Sequence, residues 1–205
     1  PDAGESWSGA AIEGVVSRSV RDSAVVLDGI SKRWAGDPYN APSPARPFAT
    51  APTTPPDTLR IGLCPSSQWG PVDPECVTAV EQAGHLLEGL GHQVEIAHPD
   101  ALFDDEFFDV FPRVLAASTA VMVDALAKIV GPEIHDRLER DTAALVARGR
   151  EVSGTEYVDS VEWFHRYTRT LSHWWEDHDI LVTPTLAEPP PRIGELRDPA
   201  LGGER

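Results

Sequence analysis

The sequence predicts an α/β fold in which the strands of a mixed sheet are flanked by helices. An apolar run over residues 59–65, LRIGLCP, is followed by a helical pattern and then by a second apolar run over residues 92–99, HQVEIAHP. Strand, helix and strand in this order form a βαβ unit, which implies parallel strands joined by a right-handed crossover. A third apolar run over residues 179–186, DILVTPTL, predicts another strand, which Pro184 stops.

The first predicted helix runs from Val20 to Ile30. Ser19 and Asp22 have the spacing of a capping box, with aspartate in place of the usual glutamate. The Ser19 side chain is expected to accept a hydrogen bond from the backbone N–H of Asp22, whose charge suits the first turn of a helix. Residues 36–58 then carry many prolines and little periodicity, which predicts a long surface excursion.

The helix of the βαβ unit has clear boundaries in the sequence. Asp73 is placed to cap its N-terminus, Pro74 takes the first helical position, and Gly91 follows its end. Residues 59–98 are therefore predicted to form one continuous strand–helix–strand segment.

Two helices are predicted directly after this unit. The first starts at Asp104 or Asp105, and Pro112 is expected to kink or break it because proline removes one helical hydrogen bond. It ends before Gly131. Residues 132–149 are predicted to form the second, as one amphipathic helix.

A capping box from Ser153 to Glu156 predicts the start of the last helix. Its packed face is expected to include Trp175. Trp163 and Trp174 lie on or near the same helix and could together stack against a sugar or a base. Because large aromatic residues at helical spacing are more often core residues, we interpret the tryptophans as core anchors.

Charge and composition exclude several classes of function. The chain has 33 acidic and 17 basic residues, and the formal net charge of −16 argues against binding to nucleic acids or to anionic membranes. No apolar run approaches the roughly 20 residues of a membrane helix. Cys64 and Cys76 have neither metal-binding nor redox spacing, so reduced thiols in a cytoplasmic protein are expected. The sequence has no phosphate loop and no dinucleotide fingerprint, and it implies no cofactor.

Ser17 and Ser19 are the first candidates for a nucleophile. A catalytic serine needs a base within hydrogen-bond reach and is commonly presented by a glycine-rich turn. The sequence shows no such turn, and the neighbouring Arg18 and Arg21 stay protonated. We therefore interpret Ser19 as a helix cap, and a hydrolase that uses one of the two serines is the alternative.

The histidines near the end of the last helix are the candidates for a metal site. Helical metal sites place two histidines four residues apart, on the same face. His173 and His178 are five residues apart. Solvated histidines near a helix C-terminus, where the dipole favours positive charge, explain them better, and no metal site is predicted.

Four segments, taken in order, resemble the middle of the amidase signature hydrolases. They are EGVVSRSVRDSAVVLDGI, LRIGLCP, VDPECVTAVEQAGHLLEGLGHQVEIAHP and WWEDHDILVTPTL. Within this family they are most similar to the branch that includes the hydrolases of 6-aminohexanoate cyclic dimers. The resemblance implies a partial amidase-signature fold with a helical substrate-pocket region. It also implies hydrolysis of linear or cyclic amides through an acyl-serine intermediate, without a metal.

The resemblance implies that residues 1–205 form one incomplete amidase-type domain, with the ends of the chain cut. Its predicted parts are a capped helix region (1–35), a proline-rich excursion (36–58), the βαβ unit (59–98), a helical pocket region (99–176), and a strand with a proline-rich tail (177–205).

The resemblance assigns no catalytic residue to this chain. The nucleophilic serine, the second serine and the general-base lysine of the family precede the matched region, and Lys32 and Lys128 do not match the catalytic position. The helix after Pro112, the part least similar to the family, is expected to bind substrate. The expected substrate-binding residues are Val114, Leu115, Ser118 and Thr119.

The expected partners are a small-molecule amide and the missing N- and C-terminal segments of the same fold. Strands at residues 60–64 and 180–183 are expected to lack neighbours, and unpaired apolar edges favour association. The chain is therefore expected to form a homo-oligomer or to require its missing segments. A non-catalytic binding module, which kept the scaffold and lost the active site, is the alternative function.

Overall fold

The structure, a computed structural model, describes residues 6–12 and 14–194. Its helices are α1 (Val20–Ile30), α2 (Pro74–Gly89), α3 (Phe107–Val130), α4 (Arg140–Glu151) and α5 (Gly154–Trp174), and its strands are β1 (Arg60–Leu63), β2 (Gln93–Ile96) and β3 (Ile180–Val182). Short 3₁₀ helices lie at Trp7–Gly9, Phe48–Thr53, Asp100–Phe103 and Pro132–Arg137. Residues 1–5 and 195–205 lie outside the described residues, so the prediction made for the two ends of the chain stays a prediction.

The described residues form two compact units. The first contains Glu106–Arg166 and the described residues up to Pro56, and the second contains Asp57–Asp105 and the described residues from Tyr167 onward. The assignment of residues 1–205 to one incomplete domain stays a prediction.

Helix α1 begins as the capping box predicts. The Oγ of Ser19 accepts a hydrogen bond from the backbone N–H of Asp22 at 3.1 Å, and the helix has the predicted bounds. The excursion that follows is tied back to α1 by Asp28. Its carboxylate accepts hydrogen bonds from the first two backbone N–H groups of the 3₁₀ helix Phe48–Thr53, at 2.7 and 3.0 Å. These charge-assisted bonds order a segment whose sequence predicts no regular structure.

Helix α3 runs without a break through Pro112, so the break considered from the sequence is wrong. Pro112 lies in the second turn of the helix, where the only intrahelical bond it removes is the one to the carbonyl of Phe108. The rest of α3 packs against α4, where buried Ala120, Val123 and Val146 form a cluster. This tertiary packing stabilises the helix beyond its local propensity.

The 24 residues of α3 are long enough and apolar enough to cross a membrane, with a mean hydropathy of 1.5 over the most apolar window. The prediction that no apolar run approaches the length of a membrane helix is therefore wrong for α3. Within that window, 33% is buried inside the protein. Length and composition alone do not distinguish a membrane helix from the core helix of a soluble protein, which can be equally long and apolar. The absence of a membrane partner stays a prediction.

Residues 132–149 do not form the single helix that the sequence predicts. Pro132–Arg137 is a 3₁₀ helix, and Leu138 and Glu139 are extended, with ψ angles of 142° and 151°, before α4 begins. The side chain of Leu138 packs onto the cluster between α3 and α4. Packing of this partly buried side chain accounts for the extended backbone at a position where the helical pattern of the sequence continues.

Helix α5 begins with the predicted capping box. The backbone N–H of Ser153 donates to Glu156 Oε2 at 2.8 Å, and the N–H of Glu156 donates to Ser153 Oγ at 3.2 Å. In the first unit, Trp163 is only 5% exposed, and its ring lies 5.3 Å from that of Phe164. Trp175 is 46% exposed because the helix ends at residue 174, so its predicted place on the packed face is wrong.

The second unit is built on a parallel three-stranded sheet with the order β2–β1–β3. The parallel pairing of β1 and β2 confirms the βαβ prediction. Helix α2 begins at Pro74, and the Asp73 carboxylate accepts from the N–H of Glu75 at 2.8 Å. Its Val80 forms a buried cluster with Ile61 and Leu63 of β1.

The central position of β1 corrects the prediction that residues 60–64 lack neighbouring strands. Both edges of β1 are paired, whereas β2 and β3 each have one partner among the described residues. On the face of the sheet opposite α2, the indole of Trp174 lies over Gly62, and a Cβ at Gly62 would lie 2.6 Å from the Trp174 Cζ2 atom. The glycine therefore allows the aromatic ring to approach the backbone of the central strand.

Arg60 and Asp179 tie the start of β1 to the start of β3. The guanidinium donates to both carboxylate oxygens, at 3.1 and 2.9 Å, and the backbone N–H of Arg60 donates to Oδ2 at 2.8 Å. In return, the N–H of Asp179 donates to the carbonyl of Arg60 at 2.8 Å. Hydrogen bonds from the Arg60 side chain, followed by the one from its backbone, lower the pKa of Asp179 from 3.8 to about 2.

We expect the Arg60–Asp179 pair to make the stability of the protein depend on pH in the acid range. The pKa of Asp179 is lower in the folded state than in the unfolded state, so the carboxylate stabilises the fold fully above about pH 4 and loses this effect as the pH falls toward 2. Urea midpoints measured from pH 2 to pH 7 should therefore fall less steeply for Asp179→Asn than for the parent. Asp159→Asn, at an exposed site on α5, is the matched control, and parallel curves for parent and Asp179→Asn would contradict the expectation.

Candidate functional site

The four residues predicted to bind substrate lie together in the middle of α3. Val114 is completely buried and Thr119 nearly so, whereas Leu115 and Ser118 are half-buried. The Thr119 hydroxyl donates to the carbonyl of Leu115 at 2.7 Å. A ligand at this surface would meet Leu115 and Ser118 first. The group can offer an apolar contact and one hydroxyl, which suits binding rather than catalysis, and its role stays a prediction.

Ser17 and Ser19 are held in a local network at the start of α1. The Ser17 hydroxyl donates to the carbonyl of Ser19 at 2.9 Å and lies 2.7 Å from the hydroxyl of Ser23. The Ser19 hydroxyl accepts the capping bond from Asp22. None of these partners is a base that could remove a proton from serine. The geometry confirms Ser19 as a helix cap.

The two histidines near the end of α5, His173 in its last turn and His178 just after it, have different surroundings. The ring of His173 is largely exposed, and its Nδ1 lies 3.1 Å from Glu176. His178 stacks on Trp174 with 3.9 Å between ring centroids, and its Nε2 lies 3.0 Å from Glu95 Oε1 of β2. Within the described residues, no group of three histidine, cysteine or acidic side chains could hold a metal ion. His178 joins two elements of the second unit and serves as a structural residue.

Both cysteines are free thiols. Cys64 is buried at the end of β1, with its sulfur 3.6 Å from the Ser66 hydroxyl. Burial raises the pKa of Cys76, and the nearby charges of Asp73 and Glu75 raise it further. The Cys76 thiol therefore stays protonated at neutral pH, which makes it a poor nucleophile.

A cleft at the carboxyl ends of the three strands is the feature that the sequence analysis missed. Its volume is about 400 Å³, and it is lined by residues of the segments 64–69, 102–103 and 183–187, which follow β1, β2 and β3. Ligands of parallel α/β sheets bind at this end of the strands. The predicted βαβ unit was the available signal, because parallel strands bring the loops that follow them to the same edge.

Comparisons with known proteins find one family over almost the whole chain. The sequence profile of the family described as Amidase matches residues 6–202. The chain is 34% identical over 193 residues to the 6-aminohexanoate-cyclic-dimer hydrolases of Paenarthrobacter ureafaciens and Pseudomonas sp. (strain NK87), and the alignments cover 92% of this chain and 39% of each relative.

A solved structure of 6-aminohexanoate cyclic dimer hydrolase, complexed with its substrate, has the same fold over the matched part. The TM-score is 0.81 and the sequence identity is 33%, with 88% of this chain and 38% of that chain covered. The chain thus spans a little under two fifths of the length of the relatives that it matches.

Proposed function

Since the chain belongs to the amidase family, in the branch of 6-aminohexanoate cyclic dimer hydrolase, we propose that it is the middle part of an enzyme that hydrolyses linear or cyclic amides. The structural match to a hydrolase that holds its substrate is the observation that carries this proposal. The sequence identity extends over both compact units, so it supports the same enzyme branch and not only the same fold. The two free thiols suit a cytoplasmic enzyme.

We assign the chemical step to residues outside this chain. In the reaction implied by the family, the general base takes the proton of the serine hydroxyl while the serine oxygen attacks the amide carbon. The C–N bond then breaks, and the amine leaves with that proton. Water then cleaves the acyl-serine ester and restores the serine. Lys32, just after α1, and Lys128, in the last turn of α3, are the only lysines of the chain, and neither occupies the family's catalytic position.

The chain's own contribution is proposed to be scaffold and substrate pocket. Leu115 and Ser118 of α3 have partly exposed side chains that could contact a substrate. Val114 and Thr119 are buried, and their packing would fix the positions of Leu115 and Ser118. Side chains that are locked by packing hold a binding site more accurately than those on loops.

Helix α3 also has an exposed apolar surface that suits the rest of the polypeptide. Val121, Met122 and Ile129 are exposed, Ile129 to 81%. Exposed apolar side chains on one helix mark a surface that another element covers. The relatives are more than twice as long as this chain. We therefore propose that, in the complete polypeptide, the segments that correspond to the rest of the relatives cover this surface of α3. Self-association of the isolated chain is the result expected when those segments are absent.

The activity is tested with two polypeptides: these 205 residues alone, verified by intact mass, and the product of the complete reading frame that contains them. We expect release of free amine from 6-aminohexanoate cyclic dimer or a linear amide by the longer polypeptide and none by the 205 residues. In the longer polypeptide, Ser118→Trp should raise KM by filling the pocket, whereas Ser172→Trp on an exposed part of α5 should not.

Three outcomes separate the proposal from its alternatives. Turnover by the 205 residues alone, abolished by Ser17→Ala or Ser19→Ala, would make one of these serines the nucleophile. Binding of amides by the longer polypeptide without turnover would favour the non-catalytic module. Equal KM values for Ser118→Trp and the parent would remove the substrate-binding role of α3 while leaving the amidase activity in place.

A further inference from the structure

The cleft at the carboxyl ends of the strands lies where the chain reverses its direction across the sheet. From the central strand β1 the chain passes through α2 to β2 on one side, and β3 pairs on the other side. Helix α2 packs on one face of β1, through Val80, and Trp174 at the end of α5 covers the other face at Gly62. In open parallel sheets, a crevice outside the carboxyl ends at such a reversal is the usual ligand site.

The cleft lining can form hydrogen bonds but is uncharged. No charged side chain is among the described residues that line it, and its polar groups include the side chains of Ser66, Ser67, Gln68, Thr183 and Thr185 and the indole N–H of Trp69. An ion that entered this space would lose its hydration without gaining a counter-charge. The lining therefore favours a neutral ligand. With a volume of about 400 Å³, the cleft fits a small molecule.

Gln68 gives the cleft an unused hydrogen-bond acceptor. Its Oε1 atom is buried and has no hydrogen-bond partner, although the residue lines the cleft. Loss of hydration without a replacement bond is unfavourable for an amide oxygen. The side chain therefore gains when its amide turns toward a donor presented from the cleft. That donor must belong to a neutral group, because the lining provides no counter-charge.

We propose that this cleft binds a small neutral carboxamide. The N–H of the ligand would donate to Gln68 Oε1, its carbonyl would accept from the hydroxyl of Thr183 or Thr185, and its apolar part would lie against Leu102 and Phe103. A carboxamide combines a donor and an acceptor without charge, which is the combination that the lining requires. This assignment is based on the residues that line the cleft and does not depend on whether the complete polypeptide hydrolyses amides.

Three probes of nearly equal shape test the proposal on the product of the complete reading frame: benzamide, benzoate and benzamidinium. Binding is followed through the indole N–H resonance of Trp69, which lines the cleft and is assigned with Trp69→Phe. We expect benzamide to shift this resonance, and benzoate and benzamidinium to bind at least about tenfold more weakly because they carry charge. No shift with benzamide, or equal affinities for all three probes, would overturn the proposal.

Variants at Gln68 identify the acceptor. Gln68→Leu keeps the approximate size of the side chain and removes its oxygen, so the Kd of benzamide should rise about tenfold. The control variant Gln82→Leu, at an exposed position of α2, should leave this Kd unchanged. Gln68→Glu should reverse the preference toward benzamidinium. Unchanged benzamide binding by Gln68→Leu would overturn the assignment. Hydrolysis of amides without a response at Trp69 would likewise reject the cleft site and leave the proposed amidase activity standing.

Discussion

Replacement of Trp163 by alanine is expected to lower the free energy of unfolding by about 3–5 kcal/mol, the range for removal of a buried tryptophan side chain. Trp163 is 5% exposed and lies in an aromatic group with Phe107 and Phe164, at ring-centroid distances of 6.4 and 5.3 Å. The substitution removes the largest side chain of this group and leaves a cavity that the neighbouring rings cannot fill. Urea-induced unfolding, with comparison of midpoints and slopes, measures the change.

Trp34→Ala is the matched control for this loss, because Trp34 is 56% exposed. Its change in unfolding free energy should stay within about 0.5 kcal/mol, as for most surface substitutions. Similar losses at Trp163 and Trp34 would contradict the burial of Trp163. Trp163→Phe should recover a substantial part of the stability, because the aromatic contact with Phe164 is kept.

Gly149→Ala is expected to destabilise the protein by about 1–3 kcal/mol, although alanine is the better helix former. Gly149 lies on α4 where that helix meets α3, and a Cβ there would collide with the backbone carbonyl of Ala116. Backbone atoms cannot rotate away as a side chain can, so the two helices must move apart. Thermal unfolding, followed by circular dichroism, should show the loss as a lower Tm.

Gly89→Ala tests the same exchange without the collision. Gly89 lies in α2. Apart from its chain neighbours and the nearby backbone of its own helix, no atom lies within 4 Å of the position that a Cβ would take. There the exchange should stabilise the protein by about 0.4–1 kcal/mol, through reduced entropy of the unfolded chain. Effects of the same sign at Gly149 and Gly89 would show that α3 and α4 are not in close contact at Gly149.

The parts of the fold that the sequence predicts well are those decided by local chemistry. The caps at Ser19, Asp73 and Ser153 each depend on one side chain and a nearby backbone N–H, so their sequence signals are sufficient. Packing decided the parts that were predicted wrongly. Leu138 leaves the helical pattern to reach the core, and α3 continues through Pro112 because its later turns pack against α4.

The candidate sites show the same division. The Ser19 hydroxyl could be recognised as a cap from four neighbouring residues, whereas the cleft near Gln68 is built from three segments that lie far apart in the sequence. The central position of β1 is equally hidden, because it depends on which distant strands pair with it. Such features follow from topology, and a single sequence gives topology only where a motif such as the βαβ unit defines it.

The position of β1 between its two partners has a consequence for the order of folding. Arg60 contacts Asp179 across 119 residues, whereas Leu59 contacts His92 across 33 residues. Closing the longer loop costs about 1 kcal/mol more in chain entropy, before any help from structure formed within it. We therefore expect β1 and β2 to pair early around α2, and β3 to join late. Until then, one edge of β1 is open to strands of other chains, which makes the stage before β3 joins a point at which aggregation can begin.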